Sequence, residues 1–418
     1  MKIERICRLI DEKKTELFEL LGSFVRINSE NFMTRGNEKE LAEYIHKLCL
    51  DLGLECELYS PLDVPGFKDH PDYVDGHNLE NRLNVTARFR GTEDKDGLML
   101  MGHSDTMPIG DIDQWSFDPF SGEVRDGCIW GRGACDDKYA LATALFIIKL
   151  LKEEGFVPKK NLLFSAYCDE ENGGSHGALA SVLKYPCERI VNMDGRDTIW
   201  NCASGGQEAK FFFHAKGTVD SVLLAARGIS VVLEEMESFA KSRKAELEVN
   251  PYYTGTIIPS TSLRYMGVKA GNAGMNLDRG EVHFTYYTDK TKEEIFREFA
   301  ELEERIAKRF EPLELVVDGF VSHTRFFHYT HIAPDDQAIL DFVASAKEAT
   351  GNEPEVCGSC LSDLSVISKY GGGAAFAYGA GRDFSLPGGA HQPDEFIECD
   401  ELVKYTKNIA AYVLKTLG

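Results

Sequence analysis

No run of this chain is apolar for long enough to cross a bilayer, and neither end carries a lipidation signature. Basic charge is also short: 46 Lys and Arg stand against 68 Asp and Glu, a net charge of -22. A nucleic-acid-binding face needs the opposite sign, so nucleic acid is an improbable partner. A disulfide framework is missing too. The 11 cysteines are odd in number and scattered from Cys7 to Cys399, and the opening MKIERICRLIDEKK is charged throughout, with no signal-peptide pattern. These absences predict a cytoplasmic protein. Cys357-Gly358-Ser359-Cys360 has C-x-x-C spacing but no second half-site and no thioredoxin-like context, and it reads as structural thiols.

What the chain does have is core and a set of metal-type ligands. With 43% hydrophobic residues in 418, it can bury enough surface for about two domains. Five segments end in potential ligands: His103 and Asp105 in MLMGHSDT, Asp136 in GRGACDDK, Glu170 and Glu171 in CDEENGG, Asp194 in VNMDG, and His391 in GGAHQPDE. Four of the five follow apolar runs that read as strands, namely LMLMGH, LLFSAYC, RIVNM and AAFAYG. In a mostly parallel sheet with helices between the strands, such ends converge on one edge, where open α/β sheets build their sites.

The ligand types suit zinc, which takes neutral imidazole and carboxylate oxygen and keeps a position for water in catalytic sites. Two ions about 3.5 Å apart need a bridging carboxylate. Five ligands with one shared suffice, and one carboxylate is left over as general base. Glu170 and Glu171 can divide ligand and base between them, since neighbours at a strand end point to opposite sides. Each residue also has a plainer reading in isolation. Asp136 and Asp137 could cap a helix beginning near Lys138, Asp194-Gly195 could be a turn, and His391 a loop histidine.

Taken in order, GHSD, WSFDPFSGEVRDGCIWGRGACDDK, CDEENGG, NMDG and GGAHQPDEFI make the sequence resemble the co-catalytic zinc peptidase and deacylase family, which includes acetylornithine deacetylase, succinyl-diaminopimelate desuccinylase, aminoacylase, carnosine dipeptidase and glutamate carboxypeptidase. The resemblance implies that His103 and Asp194 hold one zinc, Glu171 and His391 the other, and that Asp136 bridges them. It implies a cis peptide between Asp136 and Asp137, Asp105 hydrogen-bonded to the imidazole of His103, and Glu170 as general base. The substrate would be a dipeptide or N-acyl amino acid. Cobalt and manganese accept similar ligand sets.

The fold class expected is α/β: a zinc-peptidase-like catalytic domain with a mostly parallel central sheet flanked by helices, plus an inserted α+β sandwich. KFFFHAKG, a helix from about 219 to 241, TSLRYMGVKAG, EVHFTYYTD and the helix TKEEIFREFAELEERIAKRF supply the insert. Its edges are placed at 207 and 322, leaving 1–206 and 323–418 for the catalytic domain. The resemblance implies that the insert is a lid and dimerisation domain, hence a homodimer. Near the N-terminus, residues 3–24 and 38–52 have helical spacing, and His70 and His77 read as loop polar groups.

The sequence departs from the family in the insert. A histidine expected four residues after a glycine is absent from Gly217-Thr218-Val219-Asp220-Ser221. An arginine expected in HFTYYTD is also absent. Asn276, after a one-residue slip, and Arg264 or Lys269 are candidate substrate contacts, and His214, His283, His323, His328 and His331 are candidate replacements for the histidine. A metal-holding assembly module whose catalysis has lapsed is therefore the competing function. Gly173-Gly174-Ser175-His176-Gly177 matches G-x-S-x-G, with Asp194 or Asp383 and His391 in triad order, but DEEN separates it from its strand where a nucleophile elbow would adjoin directly.

Overall fold

The computed structural model describes all residues except 218–219, 254–255, 257 and 272–276. The chain divides into two compact units, Met1–Asn201 with His331–Val356 and Val366–Gly418, and Cys202–Thr330 with Cys357–Ser365.

Among the described residues, the principal sheet has nine strands. Its centre runs Asn161–Tyr167, Asp96–His103, Arg189–Asn192, Ala374–Ala377, and these four strands are mutually parallel. Asn84–Phe89 and Glu55–Tyr59 extend one side antiparallel. Central strands buried on both faces read as continuous apolar runs, which is why LMLM and LLF lack alternation. Leu98, Leu100, Leu162 and Phe164 join the core formed with helices Ile3–Val25, Lys138–Glu153 and Cys399–Leu417. Met99, Met101 and Leu163 alternate with them and are buried as well.

Helix Lys138–Glu153 buries Leu141, Leu145 and Ile148, the stripe that its 3.6-residue period predicts. Each such side chain is worth about 1.5–3 kcal/mol of burial. Lys138 is itself fully buried, and its Nζ donates to the carbonyls of Phe24 (3.1 Å) and Ile27 (2.8 Å) at the C-terminal end of helix Ile3–Val25. Burial pulls its pKa down to about 7.

A smaller antiparallel sheet joins Glu123–Arg125, Cys128–Trp130 and Phe396–Glu398. It sets the segment after His391 beside the segment before Asp136. The Phe396 to Trp130 register places Glu395 where its carbonyl accepts from Gly131 N at 2.8 Å.

In the second unit, four antiparallel strands among the described residues run in the order Leu263–Ala270, Arg279–Thr288, Gly205–Ala215, Leu315–Ser322. Helices Ser221–Glu248 and Lys292–Phe310 contribute to a core with Phe211, Phe213, Val282, Phe284 and Tyr286. Thr291 and Glu294 form a capping box that starts the second helix. The first helix runs seven residues past the expected end at 241, to Glu248. Its stripe continues through Arg243, a fully buried guanidinium held by Glu246 (2.8 Å) and Glu298 (2.7 Å), so the sequence KSRKAELE hides a core-facing turn behind charge.

Candidate metal centre

Strand register alone gathers most of the predicted site. His103 pairs with Tyr167 on one neighbour, and Met101 with Asn192 on the other. Asn192 in turn pairs with Ala377. The parallel strands therefore end level, and the residues just beyond them, Asp169–Glu171 and Asp194, emerge at one edge with His103.

Asp136 lies at the middle of the cluster. Its Oδ1 is 3.1 Å from His103 Nε2 and its Oδ2 is 3.2 Å from His391 Nε2. Glu171 Oε2 is 2.7 Å from His391 Nε2, while Glu171 Oε1 accepts from Met107 N at 2.9 Å. One carboxylate thus spans two imidazoles. The peptide bond between Asp136 and Asp137 is cis. Asp194 is close enough for its charge to raise the pKa of Asp137, where burial is the larger cause.

The donors fit divalent ions on a direct observation. His103 Nδ1 lies 2.9 Å from the carbonyl oxygen of Asp105, which can only accept, so that nitrogen carries a proton. In the neutral ring, Nε2 then turns a lone pair toward the Asp136 anion. Only a proton or a metal cation makes that contact favourable. Without metal, protons serve: burial opposes charge on His103, yet the Asp136 bond and the fields of Glu170 and Asp136 hold its pKa well above the usual range. His391 is pushed up to about 11 against burial, by Glu171 and Asp136. Burial likewise opposes the Asp136 anion, and bonds from both rings bring its pKa well below the carboxylate range.

Asp105 is hydrogen-bonded to the imidazole of His103, as the resemblance implies, but through its backbone carbonyl. Its carboxylate is 3.7 Å from His103 Nδ1, beyond hydrogen-bond reach, and only its carbonyl bonds the ring. The carboxylate is committed elsewhere, accepting from Glu170 N (2.9 Å), Glu171 N (3.0 Å) and Asn31 Nδ2 (2.8 Å). Asp105 therefore ties the HSD strand end to the turn that presents Glu170 and Glu171.

Several supporting residues carry no signal of their role in the sequence. Asp169, fully buried, is held by Arg82 Nη1, His77 Nδ1 (3.0 Å) and His176 Nδ1 (2.6 Å). His77 is thus a loop polar group, as expected, but a buried one that holds the turn carrying Glu170 and Glu171. Gly174 is required there, because a Cβ would overlap Asp169 Oδ2 and His77 Nδ1. Glu395, also fully buried, accepts from Gly133 N and Cys135 N at 3.0 Å each and from Arg132 Nη1 at 2.5 Å. It holds the loop that delivers Asp136. The only sequence signal is its place in GGAHQPDEFI, a motif that stands out for its histidine.

Other candidates fall elsewhere. Ser175 is fully buried and separated from strand Asn161–Tyr167 by residues 168–174, where a nucleophile elbow would adjoin its strand directly, and Asp383 pairs with Arg196. Arg264 is exposed on the edge strand of the second unit beside Tyr287, and Lys269 pairs loosely with Glu281 at 3.9 Å. Asn276, Thr218 and Val219 lie outside the described residues. His214 pairs with Asp318 at 2.9 Å. No cysteine among the described residues forms a disulfide, and no helix among them is long and apolar enough to cross a membrane.

An open, largely parallel sheet whose strand ends gather two imidazoles around one carboxylate defines a candidate two-metal centre. Residues 99–415 match Peptidase family M20/M25/M40, and the chain belongs to that family. An uncharacterized metallohydrolase of Methanocaldococcus jannaschii is 33% identical over 171 residues, 41% of this chain and 39% of that protein, so the match spans about two fifths of the relative's length. A succinyl-diaminopimelate desuccinylase of Bradyrhizobium sp. is 27% identical over 339 residues, 77% of this chain and 84% of the relative. Among solved structures, a dipeptidase of Saccharomyces cerevisiae superposes with a TM-score of 0.74 over 99% of this chain and 98% of that one, at 16% identity, which shows a shared fold.

Proposed function

We propose that this protein is a metal-dependent hydrolase of an amide bond in a dipeptide or N-acyl amino acid. The reading rests on one observation above others: Asp136 offers one oxygen to His103 and the other to His391, with Glu171 beside the second ring. His103 and Asp194 would hold one divalent ion, Glu171 and His391 the second, and Asp136 both; zinc suits these donors, with cobalt or manganese as alternatives. Such ions supply Lewis-acid polarisation of a carbonyl and a lowered pKa for water.

The chain's own residues supply the rest. Glu170 takes the proton of the attacking water and passes it to the leaving amine nitrogen. Asp105 fixes where Glu170 stands by accepting its backbone N–H. Asp169 and its buried partners hold the same turn from behind. We assign substrate contacts to the second unit, with Arg264 and Asn276 as candidates, and the role of lid and homodimer contact to the same unit. The desuccinylase and dipeptidase relatives support the substrate class.

Turnover of a dipeptide and N-acyl amino acid panel in the presence of zinc or cobalt tests the reading. Glu170→Ala should lower kcat by about 100-fold or more, the scale of a positioned general base, while metal content stays at the wild-type level. Hydrolysis that survives the substitution unchanged would sink the mechanism.

A further inference from the structure

The open face of the second unit's sheet carries a cluster that the proposed hydrolysis does not use. Glu208 stands on strand Gly205–Ala215, His283 on strand Arg279–Thr288, and His323 comes directly after strand Leu315–Ser322. The side-chain period of two puts Glu208 and His283 opposite the helix-facing Ala209 and Phe284, and the register pairs His283 with Lys210, two residues from Glu208. Both imidazoles aim at one oxygen. His283 Nε2 bonds Glu208 Oε1, and His323 Nε2 lies 3.7 Å from the same atom. The two rings stand edge to face with centroids 5.4 Å apart.

We propose that Glu208, His283 and His323 form a binding site for a divalent transition-metal ion, separate from the centre at Asp136. Their donor atoms all lie within 4.8 Å of one another. A tetrahedral ion with bonds of about 2.0–2.1 Å needs donors about 3.4 Å apart, which small side-chain rotations reach from here. As an ion pair the cluster is incomplete, since 3.7 Å leaves His323 without a hydrogen bond to the carboxylate. As a metal site, all three donors are used.

The frame is pre-organised. His323 N donates to the carbonyl of Glu208 at 2.8 Å, and Glu208 N donates to Thr324 Oγ1 at 3.2 Å, so the third donor is fastened to the strand of the first. The side chains are part-exposed, at 25%, 21% and 37% for Glu208, His283 and His323, which leaves coordination positions open to water or a further ligand. Two imidazoles and one carboxylate favour zinc, copper or nickel over the oxygen-seeking magnesium and calcium. The neighbouring positive charge, Lys210, is offset by Glu281 at 3.8 Å. A bound ion would staple three segments of the sheet.

The test uses the full-length protein. Equilibrium dialysis against micromolar ZnCl2, followed by metal analysis, should give one ion fewer per chain in Glu208→Gln and in the His283→Asn, His323→Asn double variant than in wild type. Equal stoichiometry in all three would overturn the proposal. A second readout needs no variant: ZnCl2 at about ten times its Kd should cut diethyl pyrocarbonate labelling of His283 and His323 by about tenfold in wild type, relative to MgCl2, with His214 as the unprotected control. Undiminished labelling of His283 and His323 would overturn the site. Neither readout depends on His103, Asp136 or His391, so failure here leaves the hydrolase reading standing.

Discussion

Metal binding at Asp136 should release protons, and the structure gives the number and the sign. In the metal-free protein both ring nitrogens facing Asp136 are protonated, His391 with a pKa of about 11 and His103 well above its ordinary value. Each of the two ions must displace one of these protons, because it binds the neutral imidazole. Affinity therefore rises with pH. A pH of 7 lies four units below the pKa of His391, which sets an upper limit of about 10⁴-fold on the competition. Its side chain is 34% exposed, and solvent screening brings the expected penalty down to roughly 10²–10³-fold. Isothermal titration of zinc in buffers of different ionisation enthalpy should report about two protons released per chain at pH 7, one per ion, and log Kd for each ion should fall by about one per pH unit. His391→Asn should remove about one of those protons. Proton release near zero, or an affinity flat from pH 6 to 8, would refute the reasoning.

Glu395→Ala should destabilise the first unit by about 3–5 kcal/mol, since it strands the buried Arg132 and two backbone N–H groups. Urea denaturation measures it, and a loss under about 1 kcal/mol would show that the Asp136 loop is held by something else. Glu38 is fully buried, and burial, reinforced by Asp105 and opposed by Arg82, raises its pKa to about 8. A raised carboxyl pKa binds extra protons in the fold, so its contribution is complete below the unfolded value and is lost as pH rises from 4.5 to about 8, with an upper limit of roughly 4–5 kcal/mol. Glu38→Gln should flatten the stability profile over that range; a profile as steep as wild type would count against this account of Glu38.

The strand ends of the site were legible because central parallel strands must be apolar on both faces, so runs such as LMLMGH and LLFSAYC announce where the chain leaves the sheet. The residues just past each run carry the chemistry. The supports were not legible. Asp169 and Glu395 sit among other acidic residues, and only the fold decides that Asp169 meets Arg82, His77 and His176, or that Glu395 turns its oxygens to Gly133 and Cys135. Asp105 was found as a residue, yet which of its oxygens meets the ring depended on competing N–H donors that converge from Asn31 and the Glu170 turn. Arg243 shows the same limit in the second unit, where a buried guanidinium completes an apolar stripe and so conceals it. Glu208 and His283 stand 75 residues apart in the chain, and His323 lies further on, a separation that no local pattern joins.

The central claim is that His103, Asp136, Glu171, Asp194 and His391 hold two metal ions. Its most direct test is the metal content of the purified protein by inductively coupled plasma mass spectrometry, beside a His103→Ala, His391→Ala double variant with the Glu208 cluster intact. The account predicts that the double variant carries about two fewer equivalents of zinc or a similar ion than wild type. Wild-type protein that takes up no more metal than the variant, even after incubation with zinc or cobalt, would contradict it.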